Sequence, residues 1–178
     1  MLMEPTLQTL VAQCQSGDRD AFGVLVNQYG LQVLRTARLI LRDPSLAEDV
    51  TQETFIKAWR QIGSLRSDDP GPWLNRIAAN ESISAYRRRH RFDALVAAAG
   101  RLTQRSASAP DESRIDLAAA LGRLDARSRA VIVLHYYQDL TVEETAANLG
   151  LSVDAAKSRL KVALRRLREL TGSPEEDT

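Results

Sequence analysis

Two sets of polar side chains in this sequence have the types and spacing to do chemistry. Lys157, Lys161, Arg165 and Arg168 follow one another four, four and three residues apart, and Arg76, Asn80, Ser84 and Arg87 repeat that spacing before running into Arg88, Arg89 and Arg91. The chemistry they suit is recognition of a polyanion. Each Lys or Arg placed against a phosphate releases condensed counterions, and an amide and a hydroxyl among arginines offer hydrogen bonds to unstacked bases. A solvated Arg-rich helix end explains one or two arginines better than this many. The materials of catalysis are thinner. Asp49 and Glu53 form a carboxylate pair with no histidine near them in sequence, which makes a poor metal or acid/base site. Cys14 is the only cysteine and His90 and His135 the only histidines, so neither an internal disulfide nor a Cys/His metal cage is expected.

The first set sits on a readable element. Thr141 and Glu144 have the spacing of a capping box that starts a short helix. Gly150 can end it in the left-handed conformation, and Ser152 with Asp154 offers the next N-cap at once. In the helix that follows, Ala156, Leu160, Ala163, Leu164 and Leu167 form one apolar stripe with the four cations beside it. Two helices joined by a short Gly-containing turn make a helix-turn-helix, whose second helix offers its N-terminal residues to base edges. Ser152, Asp154, Ala155, Ser158 and Arg159 then lie nearest the bases. The competing reading is an αα-hairpin with a solvated basic face.

Upstream, Leu7, Leu10, Val11 and Cys14 recur at helical spacing, Ser16-Gly17-Asp18 interrupts them, and Phe22, Leu25, Val26, Tyr29, Val33 and Leu34 continue as core material. Cys14 in that pattern reads as a small core residue rather than a sensing thiol. After Arg42-Asp43-Pro44, Ser45 and Glu48 have capping-box spacing and open a helix to about Ile62. Ala47, Val50, Thr54, Ala58 and Ile62 make its core stripe. Asp49, Gln52, Glu53 and Ile56 fall on the other side with Trp59 at the edge, either as a partner surface with a charged rim or as a face that a neighbouring helix covers. Ser67 to Pro72 reads as a turn, and Trp73 to Arg91 as a helix with Leu74, Ile77, Ala78 and Ala85 inward.

Length and charge set the frame. The chain has 178 residues, 44% of them hydrophobic, enough to bury a core in one domain or two small ones. A net charge of +1 is weak for holding duplex DNA alone, but the charge is segregated: basic at 87–91 and 157–168, acidic at 43–53 and in the tail. Such a chain suits DNA on two faces and a protein on a third. No apolar run approaches a membrane span and no leader is visible, so a cytoplasmic protein without membrane insertion is expected. The pattern predicts an all-α fold of two small helical domains, at 1–91 and 115–171, with a linker over 92–114 and a disordered tail over 172–178. In the second domain Ile115 to Leu124 and Arg127 to Tyr137 read as helices on which the helix-turn-helix packs through Leu121, Leu124, Val131 and Leu134, with His135 packed rather than catalytic.

Three stretches, LAEDVTQETFIKAWRQI, PWLNRIAANESISAYRRRHR and RSRAVIVLHYYQDLTVEETAANLGLSVDAAKSRLKVALRRLREL, in this order and at these separations, resemble extracytoplasmic-function sigma factors of the sigma-70 family. The resemblance implies a non-enzymatic subunit, without cofactor or metal, that binds core RNA polymerase through its β′ and β subunits, opens promoter DNA and is held by an anti-sigma factor. By the same resemblance, Asp49, Gln52, Glu53, Ile56 and Trp59 dock on the β′ coiled coil. Arg76, Asn80, Ser84, Arg87, Arg88 and Arg91, with the loop Ser67 to Gly71, open the −10 element and capture a flipped base. Ser152, Ala155, Lys157, Ser158, Arg159, Lys161 and Arg165 read the −35 element. Two departures stand out: Val162 and Leu164 occupy positions that are often basic in the family, and the loop before Trp73 carries two prolines in place of a Phe-Arg-Gly-type stretch. A stand-alone helix-turn-helix regulator and a helical adaptor with no DNA role are the rival readings.

Overall fold

The computed structural model describes residues 6–98 and 117–172; most of the expected linker, residues 115–116 of the expected helix, and positions 173–178 of the expected tail lie outside the described residues. Among the described residues every regular element is helical, as the sequence predicts. The chain divides into two compact units, 1–82 and 83–178.

In the first unit, α1 (Leu7–Gln15) is capped by Thr6, and α2 (Arg19–Leu41) by Asp18, whose carboxylate accepts from the amides of Asp20 and Ala21. Arg42 ends α2 in the left-handed conformation at φ 56°, and α3 (Pro44–Gln61) follows. The α3 cap differs from the expected Ser45/Glu48 box. Asp43 caps the helix by accepting from Leu46 N, and Pro44 takes the first helical position, where its fixed φ fits and its missing N–H costs nothing. Glu48 pairs instead with Arg38 on α2 at 3.1 Å. A single 3-10 turn (Ile62–Ser64) leads to the loop before α4 (Gly71–Ala98), whose residues up to Ser82 belong to this unit and whose later residues belong to the second. That helix runs seven residues past Arg91, because Phe92 to Ala98 contains good helix formers and neither Gly nor Pro. The core joins Leu10, Cys14, Leu25, Tyr29, Val33, Phe55, Ala58, Leu74 and Ala78. Cys14 is fully buried and burial raises its thiol pKa, which fits a packing role.

In the second unit, α5 (Leu117–Gly122) and α6 (Ala126–Ile132) precede a π-helical turn (Val133–Tyr137), then α7 (Val142–Leu149) and α8 (Val153–Thr171). Asp125 caps α6, one residue ahead of the expected start. The predicted capping box forms in full: Thr141 accepts from Glu144 N and the Glu144 carboxylate accepts from Thr141 N at 2.8 Å. Gly150 ends α7 at φ +62°, and Ser152 caps α8 by accepting from Ala155 N. Ala120, Leu124, Val131, Ile132, Leu160, Ala163 and Leu167 form the core, with Leu121, Leu149 and Leu164 packed on its margin. His135 is half-buried and its Nδ1 lies 2.7 Å from the Leu140 carbonyl, tying the π-turn to the approach to α7. Arg129, 2% exposed, donates from Nη1 to the carbonyls of Leu124 and Gly122, so this buried cation is hydrogen-bonded to backbone.

Candidate functional site

Three surfaces carry the sequence-predicted residues. The first is a groove of about 830 Å³ between α2 and α3. Its α3 wall holds Gln52, Phe55, Ile56 and Trp59, and its α2 wall Phe22, Val26, Leu31 and Leu34. Ile56 is 46% exposed and Asp49 and Gln52 are exposed beside it, while Glu53 and Trp59 are half-buried. Trp59 leans edge-on against Phe22, ring centroids 5.0 Å apart. Neither sequence alternative is complete: α2 partly covers Trp59 and leaves Ile56 open. Phe22, Val26 and Leu34, read from sequence as core, are half-buried and line the groove, because the α2 stripe is wider than α3 can cover.

The second surface is a polar pocket of about 370 Å³ where α3 ends and α4 begins, lined by Lys57, Gln61, Ser64, Trp73, Arg76, Ile77, Asn80 and Glu81. Lys57 Nζ lies 2.7 Å from Glu81 Oε1 and 4.0 Å from Glu53. The Asn80 amide donates to the Arg76 carbonyl at 2.9 Å. An aromatic wall with an amide, an ammonium and a carboxylate around it can stack a planar ring and hydrogen-bond its edge. Lys57 and Glu81 were not among the sequence candidates; they are 24 residues apart, a separation that no local pattern reveals. The loop Ser67 to Gly71 does not line this pocket. It is fastened to α2, where Tyr29 donates to Asp69 Oδ1 at 3.1 Å and the same oxygen accepts from Gly71 N at 2.8 Å. Burial, then the Asp69 charge, pushes the Tyr29 pKa up to about 12. A Cβ at position 71 would stand 3.1 Å from both Asp69 Oδ1 and the Tyr29 ring, so any side chain there would press on this latch. Farther along α4, Ser84 is half-buried and Arg87, Arg88 and Arg91 are exposed.

The third surface is the outer flank of α8. Ser152, Asp154, Ala155, Lys157, Ser158, Lys161, Arg165 and Arg168 are exposed, opposite a stripe in which Ala156, Leu160, Ala163 and Leu167 are buried. Lys157 has only a 4.0 Å approach to Glu143 on α7, and Arg165 a 3.9 Å approach to Glu169 on its own helix. Ser152 spends its hydroxyl on the cap. Arg159 departs from the others: its side chain is 33% exposed and its guanidinium lies 3.6 Å from Asp125 and 3.5 Å from Ser128 Oγ on α6. Of the two departures on this helix, Val162 is 51% exposed and removes a cation from the outer face, whereas Leu164 packs on the core. Among the described residues no cluster of His, Cys, Asp or Glu could hold a metal, and no helix is long and apolar enough to cross a membrane.

Fold and surfaces together define an all-helical protein with a helix-turn-helix in one unit and an apolar groove in the other. Comparison with known proteins gives the family. Residues 25–92 match the family model for Sigma-70 region 2 and residues 120–169 that for Sigma-70 region 4. The chain is 35% identical to the RNA polymerase sigma factor CnrH of Cupriavidus metallidurans over 94% of this chain and 95% of that protein. It is also 35% identical to the ECF RNA polymerase sigma factor SigL of Mycobacterium tuberculosis, over 81% of this chain and 85% of that one. Among solved structures, CnrH in complex with the cytosolic domain of CnrY aligns at a TM-score of 0.66 with 32% identity, covering 96% of this chain and 99% of that one. The sigma factor RpoE in complex with the anti-sigma factor NepR from Bartonella quintana aligns at 0.68 with 28% identity, covering 86% and 98%. This chain belongs to the sigma-70 family, as an RNA polymerase sigma factor of the extracytoplasmic-function type. Its function is that of its family, promoter-directed transcription initiation by RNA polymerase, and not that of a stand-alone helix-turn-helix regulator.

Proposed function

We propose that the three surfaces divide the work of initiation. The α2–α3 groove, with Asp49, Gln52, Glu53, Ile56 and Trp59, docks on core polymerase. Burying an exposed isoleucine and the open side of a tryptophan inside a charged rim is how a protein interface concentrates its affinity. Arg76, Asn80, Ser84, Arg87, Arg88 and Arg91 engage the −10 strand. There the polar pocket behind Trp73 receives an extruded base, offsetting an unstacking cost of a few kcal/mol with stacking of about 1–3 kcal/mol and hydrogen bonds. On α8, Ala155, Lys157, Ser158, Lys161 and Arg165 face the −35 duplex, with Ser152 holding the helix start. The protein works in the cytoplasm, where DNA and polymerase are, and has no catalytic activity of its own. An anti-sigma factor is a fitting partner, by likeness to the CnrH–CnrY and RpoE–NepR complexes.

The observation that carries this reading is that the region 2 unit keeps an apolar groove and a separate polar pocket open at once, one suited to protein and the other to a base. A regulator that binds only duplex DNA needs neither. The test is multiple-round transcription from the promoter of its own operon, with core polymerase alone and with core plus this protein. Promoter-specific transcripts only in the second reaction are expected. Failure of the protein to co-elute with core, together with no transcripts, would overturn the proposal.

A further inference from the structure

Arg159 lies in the same Lys-Ser-Arg run as Lys157 and Ser158, yet its side chain goes elsewhere. Its guanidinium reaches back to the first turn of α6, 3.6 Å from Asp125 Oδ1 and 3.5 Å from Ser128 Oγ. Asp125 is already a busy carboxylate. It accepts from the amides of Arg127 at 3.0 Å and Ser128 at 3.1 Å and from the Ser128 hydroxyl. Burial raises its pKa, but those hydrogen bonds and the Arg159 charge outweigh burial and leave it below the usual carboxylate range. Arg159 thus meets a fixed, ionised acceptor on a different helix. Lys157 and Arg165 are freer, with side chains 59% and 70% exposed. The next residue, Leu160, is part of the core that joins α6 to α8, so the Arg159 contact sits at the rim of the joint that sets the angle of the recognition helix.

We propose that Arg159 is a positioning residue that pins the N-terminal half of α8 to the cap of α6 and touches neither base nor phosphate. The inference rests on the promoter-binding reading of α8. It separates the run into Lys157 and Ser158, which face DNA, and Arg159, which aims them. Both contacts are made by one guanidinium nitrogen, Nη1, so a single end of the side chain bridges the Asp125 carboxylate and the Ser128 hydroxyl.

The test is a double-mutant cycle in the full chain bound to core polymerase, on a promoter with a −35 element. Arg159→Gln, Asp125→Asn and the double variant are compared, since asparagine keeps the α6 cap while removing its charge. Initial promoter binding and the rate of opening per bound complex are read separately, so loss of folded protein lowers the active fraction without moving either constant. Arg159→Gln is expected to weaken initial binding about three-fold, with the opening rate and the salt slope unchanged, and the double variant to be no weaker than either single one. A salt slope lowered by about 1, a loss of preference at a single −35 base, or a double variant as weak as the two single effects multiplied would each overturn the proposal. Lys157→Ala is the control for the underlying reading. If it lowers the slope while the Arg159 cycle is additive, only the positioning role falls; if it leaves the slope unchanged, the promoter reading of α8 falls and the proposal with it.

Discussion

Helices α3 and α8 solve the same packing problem and then do opposite things with what is left. Each turns fully buried alanines toward its unit, Ala47 and Ala58 in α3 and Ala156 and Ala163 in α8, so that neighbouring helices approach closely. On the outer side α3 shows Ile56, part of Trp59 and Gln52 in the groove, with Asp49 exposed and Glu53 half-buried on the same helix outside the groove lining, while α8 shows Lys157, Lys161 and Arg165. Attraction to the first face grows with apolar area removed from water and depends little on salt. Attraction to the second comes from counterion release and falls steeply with salt. The inner stripes make the fold, and under the proposed division of labour the outer stripes choose the partner.

The comparison breaks first at Ile56. Ile56→Arg places an unpaired charge in the groove and is expected to weaken core binding by about 3 kcal/mol, while the melting temperature stays near that of the parent because the side chain is half in solvent; binding is read by co-elution and competition against the parent protein. Trp59→Ala should cost about 2 kcal/mol of core binding and, unlike Ile56→Arg, about 1 kcal/mol of stability by denaturant titration, since it also removes the ring contact with Phe22. On the α8 side, Thr141→Ala removes the helix-turn-helix cap and should lower stability by about 1 kcal/mol in chemical denaturation, with core binding unchanged. A further test sharpens the α2 side through pH. Tyr29 is held protonated in the fold, its pKa raised from 10.0 to about 12, so the stability it contributes is complete below pH 10 and is lost as pH rises through 12. Tyr29→Phe should flatten that alkaline decline in melting temperature, and an unchanged decline would detach Tyr29 from the loop latch.

What could be read in the sequence was local. The Thr141/Glu144 box, the Gly150 stop, the Ser152 cap and the α8 stripe each depend on residues within one or two turns, and all four stand in the structure. The all-α architecture followed from the same periodicity, which also set Gln52 and Ile56 off the buried stripe of α3, where with Trp59 they line the groove. Features requiring a partner from far along the chain were not legible. The spacing of Ser45 and Glu48 suits a capping box, but Asp43 and Pro44 win the cap and Glu48 goes to Arg38, ten residues back. Phe22 and Val26 look like core until α3 proves too narrow to cover them. The polar pocket keeps Arg76 and Asn80 of the expected set, but Tyr29 holds Asp69 of the Ser67 to Gly71 loop away from it, and Lys57 and Glu81 complete a lining that the sequence did not announce. Arg159 belongs to a motif by sequence and to α6 by contact, because its partner Asp125 lies 34 residues earlier.

The most direct test of two faces with opposite physics is Lys157→Ala, measured for core binding and for the salt dependence of promoter-complex formation between about 50 and about 200 mM salt. The variant should bind core as tightly as the parent while the salt slope of the promoter complex falls by about 1. An unchanged slope, or a loss of core affinity in place of it, would contradict the assignment of α8 to DNA and of the α2–α3 groove to polymerase.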